Sequence, residues 1–201
     1  MSKPMNQNIR AFIAFKVSDE AKNELFRVQE ELRKMNLGLR ASWANPAGFH
    51  VTVEFLGEIG ENILEDVIPP RGRDHAYGVK KILKDVTPKY SAMNFYLDEV
   101  AAFPNKANPR VVNVRVGEEG RVGESFQNDL NKELRKIGLG QDSRLWKPHI
   151  TLARNKNGEF INGLDSVKLK KVVWKVESVE LIKSDLLPNG PRYTVLFSCN
   201  M

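Results

Sequence analysis

The chain of 201 residues has little of what protein chemistry is commonly built from: one cysteine and three histidines. Cys199, two residues from the C-terminus, has no partner for an intramolecular disulfide and is poorly placed for a nucleophile. With no cysteine cluster and no histidine spacing of the zinc type, no metal site is expected. No stretch approaches the roughly 18 consecutive apolar residues of a membrane span. The opening MSKPMNQNIR shows neither an apolar leader core nor a small-residue cleavage site, so the expected address is cytoplasmic, away from membranes. Gly and Pro, 14 and 10, are too few for collagen or a Pro-rich stalk. What is present, 41% apolar and 28% charged side chains, suffices for a buried core, and the net charge of +6 favours a phosphate-bearing partner through long-range attraction without naming one.

The chain says nearly the same thing twice. Glu31 to Lys34 and Glu133 to Lys136 both read ELRK, 102 residues apart, and each block is followed within four residues by a glycine, Gly38 and Gly138. Upstream of each lies an aliphatic, β-rich run opening with arginine, Arg10 to Val17 and Arg110 to Val116. Downstream of each comes a tryptophan and then a short strand opening with histidine, His50-Val-Thr-Val53 and His149-Ile-Thr-Leu152. From arginine to histidine the distance is 40 residues in the first half and 39 in the second, so a whole strand, helix, strand unit keeps its register. One pair of copies at this period excludes a solenoid and predicts two lobes related by an approximate two-fold.

Leu25, Val28 and Leu32 recur at helical spacing after a polar start at Ser18, and Phe126, Leu130, Leu134 and Ile137 do the same before Gly138. Both helices are amphipathic and should each cover one face of a sheet. Further strands are expected over 92–102, 172–182 and 193–198, the last two separated by a turn at 188–191. A Pro-rich stretch, Pro69 to Gly78, containing the third histidine, His75, interrupts what would otherwise be one helix from about Glu61 to Val86, and reads as an exposed basic loop. The expected fold is therefore α+β: two pseudo-symmetric lobes of mostly antiparallel sheet with helices outside, forming a single domain over 1–201 with repeat units at about 10–57 and 110–154.

On a strand, residues i and i+2 share a face, so His50 stands beside Thr52 and His149 beside Thr151, while Val51, Val53, Ile150 and Leu152 turn to the core. A single His-x-Thr would be an ordinary half-buried histidine. Two, at matched places in a duplicated unit, can converge across a cleft on one phosphate. Attack on a phosphodiester needs a base for the nucleophile and an acid for the leaving oxygen, and histidine serves as either near neutral pH. Threonine hydroxyls can donate to the non-bridging oxygens, where charge accumulates, with no metal or other cofactor.

His50-Val-Thr-Val-Glu-Phe-Leu-Gly-Glu58 and Pro148-His-Ile-Thr-Leu-Ala-Arg154 resemble the two signature motifs of the 2H phosphoesterases, in particular the RNA 2′,3′-cyclic phosphodiesterases historically called 2′-5′ RNA ligases. The resemblance extends through Arg10 to Ala14, Phe103-Pro104, Pro109 to Val111 and Gly190 to Tyr193. It implies a bilobal fold with a central cleft and opening of RNA-terminal or nucleoside 2′,3′-cyclic phosphates to 2′-phosphates; the expected partners are RNA ends, and the expected state is a monomer. It further implies His50 as acid, His149 as base, Thr52 and Thr151 on the phosphate oxygens and Arg154 neutralising phosphate charge. Arg154 lies an odd five residues after His149, so strict alternation would turn it to the opposite face unless the strand bends. Phe55 fits a base-stacking or a core role equally. Ligation as the main direction, or a cleft that only holds a nucleotide or RNA end, are the alternative functions.

Overall fold

The computed structural model describes residues 8–64, 78–140, 145–188 and 190–201. Nine strands and three α-helices follow in the order β1 (Asn8–Lys16), α1 (Asp19–Met35), β2 (Ser42–Trp43), β3 (His50–Gly60), α2 (Val79–Val86), β4 (Met93–Asn105), β5 (Asn108–Glu118), α3 (Val122–Lys136), β6 (His149–Arg154), β7 (Val173–Val176), β8 (Ser178–Leu187) and β9 (Gly190–Asn200). They form two sheets, ordered β3-β1-β8-β9 and β2-β6-β5-β4-β7, and every pairing is antiparallel. The two copies of the repeat are β1-α1-β3 and β5-α3-β6. Most of the Pro69–Gly78 stretch, His75 included, lies outside the described residues. The helix on its far side begins at Val79 and is half the length of α1.

Local chemistry accounts for both repeat helices. Ser18 caps α1, its hydroxyl accepting from the Ala21 N–H at 3.2 Å, with Asp19 and Glu20 in the first turn and Arg33 and Lys34 in the last; such a cap is worth about 1 kcal/mol. Helix α3 has no hydroxyl cap. Instead the Glu118 carboxylate accepts from the Gly123 and Glu124 N–H groups at 2.5 and 3.1 Å, doing from the end of β5 what a capping side chain does.

The expected strand over 172–182 is two strands. β7 pairs with β4 in one sheet and β8 with β1 in the other, so the chain changes sheet at Glu177. Continuous β propensity over these residues cannot show that switch, because both segments present alternate buried residues, Trp174 and Val176, then Val179 and Leu181. β8 and β9 then form the expected hairpin, with Leu187 opposite Gly190, whose φ of +115 is open to glycine alone.

Each sheet turns one face to a shared core. Ile9, Ala11, Ile13 and Phe15 of β1, Val51 and Val53 of β3, and Val112, Val114, Ile150 and Leu152 of β5 and β6 join one continuous cluster. Phe15 is its hub, with ring centroids 5.5 Å from Phe95, 5.4 Å from Phe126 and 6.3 Å from Trp146. On the other face of the first sheet Phe12, Ala14 and Ile182 form a small separate cluster.

Candidate active site

The histidine strands β3 and β6 come from different sheets yet run beside each other, and the Trp146 indole, three residues before His149, donates to the Thr52 carbonyl at 3.0 Å. Along β3, Val51 is buried while His50 and Thr52 are half-exposed; along β6, Ile150 is buried while His149 and Thr151 are half-exposed. The alternation thus turns both imidazole and hydroxyl pairs to the faces of their sheets opposite the main core.

The two imidazoles are held alike. His50 Nδ1 lies 2.7 Å from the Gly48 carbonyl and His149 Nδ1 2.8 Å from the Lys147 carbonyl, each two residues upstream. A carbonyl only accepts, so both Nδ1 atoms carry their proton and both Nε2 atoms are left for chemistry, accepting when the ring is neutral and donating when it is charged. An aromatic ring steadies each: Phe103 meets His149 edge-on at 4.9 Å, while Phe12 at 4.7 Å and Tyr193 at 5.2 Å enclose His50. Gly48 is required here, since a Cβ would come within 2.9 Å of the Tyr193 ring.

Burial pushes both histidines below the ordinary value of 6.5, against the opposing pull of their backbone carbonyls; the Arg154 charge lowers both further, and His149 adds to the lowering of His50. Burial raises Tyr193, against the charges of Arg154 and Arg10. The Arg154 charge thus bears on side chains of β3, β6 and β9.

The odd spacing of Arg154 is resolved by a β-bulge. Across β5, Asn113 faces Thr151 and Val112 faces Ala153, so Leu152 is an extra residue; Leu152 and Ala153 are consecutive and both fully buried. One added residue reverses the alternation, and Arg154 emerges on the face of His149 and Thr151. β3 repeats the device: Ala14 faces Thr52 and Ile13 faces Glu54, Val53 is the extra residue, and Val53 and Glu54 are both buried. Phe55, five residues after His50, consequently shares the face of His50 and Thr52; it is 46% exposed and 6.2 Å from Phe12, so it is not a core residue.

All five residues singled out in the sequence thus face the seam between the sheets. The aromatic neighbours Phe12, Phe103 and Tyr193 carry no role in the sequence reading, although all three stand in stretches of the resemblance; only cross-strand packing reveals what they touch. Among the described residues no group of three or more His, Cys, Asp or Glu side chains is arranged to hold a metal ion.

Two antiparallel sheets, each contributing one His-x-Thr strand, agree with the bilobal α+β fold that the resemblance to the 2H phosphoesterases implies. Residues 15–112 and 118–193 match the profile of the LigT-like phosphoesterases, and the chain belongs to that family. It is 29% identical over 188 residues to an RNA 2′,3′-cyclic phosphodiesterase of Archaeoglobus fulgidus, covering 92% of this chain and 96% of that one. To the protein of that name from Thermus thermophilus it is 30% identical over 200 residues, covering 94% and 88%. Its fold is similar to that of Escherichia coli LigT crystallised with 3′-AMP, with a TM-score of 0.69 and 18% identity over 97% of this chain and 99% of that one.

Proposed function

We propose that this protein is an RNA 2′,3′-cyclic phosphodiesterase that opens a terminal cyclic phosphate to a 2′-phosphate by two-histidine acid and base catalysis. The observation that carries the reading is the matched fixation of both imidazoles, Nδ1–H bound to backbone and Nε2 with no bond among the described residues, on strands that lie beside each other. The curated relatives named above bear the same activity in their names.

In the hydrolytic direction neutral His149 accepts a proton from water at Nε2 as the water oxygen bonds to phosphorus. Protonated His50 gives its Nε2 proton to the 3′ oxygen as the P–O3′ bond breaks, leaving a 2′-phosphate and a free 3′-hydroxyl. The hydroxyls of Thr52 and Thr151 donate to the non-bridging oxygens, and Arg154 offsets the charge that builds there. The Nδ1 bonds hold each ring in the one tautomer that can play its part, so no rearrangement precedes transfer. Phe55, exposed beside Thr52, supplies a face on which the terminal base stacks.

Turnover of a nucleoside 2′,3′-cyclic phosphate, with the product isomer identified, tests the reading. His50→Ala and His149→Ala are each expected to lose about 10²–10⁴-fold in kcat while still unfolding in one cooperative transition. Full turnover in either variant, or formation of the 3′-phosphate by the wild type, would overturn it.

A further inference from the structure

The two bulges that aim Arg154 and Phe55 are braced from the opposite half of the chain. A bulge takes a residue out of the regular ladder, and its buried polar groups must find partners elsewhere. At β6 that partner is Gln29 of α1, only 3% exposed, whose amide donates to the Leu152 carbonyl at 2.9 Å and to the Ala44 carbonyl at 2.8 Å. The Ala44 N–H donates to the same Leu152 carbonyl at 2.8 Å. At β3 the partners are Asn131 and Gln127 of α3, which donate to the Glu54 carboxylate, next to the extra residue Val53, at 2.8 and 3.1 Å. Gln29 and Asn131 each stand two residues before an ELRK block, so they occupy the same place in the duplicated unit.

We infer that Gln29 is a positioning residue for phosphate binding: by holding the Leu152 bulge it keeps Arg154 on the histidine face. Both N–H groups of its amide are engaged, one on β6 and one on the residue that follows β2. Without the bulge the alternation of β6 would carry Arg154 to the covered side of the sheet, where Ile150 and Leu152 are buried. Gln29 itself lies on the helix side and touches no reacting atom. This inference rests on the reading of Arg154 as a phosphate-binding group.

The test is calorimetric binding of adenosine 2′-monophosphate to the wild type, Gln29→Met, Arg154→Ala and the double variant, with turnover measured alongside. Methionine has nearly the shape of glutamine and no donor. Removing the arginine contact should weaken binding roughly tenfold, Gln29→Met should weaken it by a comparable factor, and the double variant should bind no worse than Arg154→Ala alone. A purely structural glutamine would lower the unfolding temperature and leave the dissociation constant where it was. If the methionine variant does not fold, Gln29→Asn keeps an amide in the polar slot one methylene short of the Leu152 carbonyl and should show the same coupling to Arg154. Binding by Gln29→Met within twofold of the wild type, or losses that multiply in the double variant, would overturn the brace while leaving the phosphodiesterase reading intact. Wild-type protein that binds the nucleotide with this coupling but never opens a cyclic phosphate would instead remove that reading and leave the brace.

Discussion

At the scale of single residues, the proposed acid and base are the two histidines, and their surroundings bias both protonations in one direction. Burial and the Arg154 charge hold both imidazoles below 6.5 in the free protein. The acid must be protonated and the base neutral, so kcat/KM is expected to be bell-shaped with its maximum on the acid side of pH 6.5, unaffected by chelator. A maximum above pH 7 would show that something other than these burials sets the two values. The same shifts have a stability consequence. A histidine whose folded-state value lies below its unfolded one binds protons less readily when folded, so these two groups cost stability as pH falls through 6.5 and are silent above it.

At the scale of elements, the buried Glu54 links β3 to α3. It is 6% exposed, and its partners are two neutral amides of the helix, with no cation bonded to it among the described contacts. Asn131→Ala removes one donor from a buried carboxylate and is expected to cost about 1–3 kcal/mol of stability, measured by urea denaturation at pH 7. A loss below about 0.5 kcal/mol, the level of an ordinary surface change, would mean that Glu54 does not depend on the helix. Among the described residues the counterpart Gln29 amide bonds only carbonyls, so the two braces hold equivalent bulges with different chemistry.

At the scale of the whole molecule, the two halves are interlocked. α1 and β2 belong to the first repeat yet bond to β6 of the second, while α3 and Trp146 belong to the second and bond to Glu54 and Thr52 of the first. Phe15 lies where rings from β4, α3 and the segment before β6 meet, and it is fully buried. Phe15→Ala should therefore destabilise by about 3–5 kcal/mol in one transition, with tryptophan fluorescence and far-ultraviolet dichroism coincident. Two separated transitions would mean that the halves unfold independently.

Much of this was legible in the order of residues alone. The duplicated ELRK blocks, the paired His-x-Thr strands and the antiparallel α+β character follow from local periodicity and repetition, which are properties of the chain itself. The side of the sheet on which Arg154 and Phe55 emerge was not legible, because a bulge is defined by the partner strand's register, and alternation counted along one strand turns both residues the wrong way. The change of sheet at Glu177 was hidden for the same reason, since propensity reports that a residue is extended but not with which neighbour it pairs. Sequence thus determined which groups are offered as candidates for acting on a phosphate; the pairing of distant strands, and the cross-half hydrogen bonds at their irregularities, decided on which face of each sheet those groups stand.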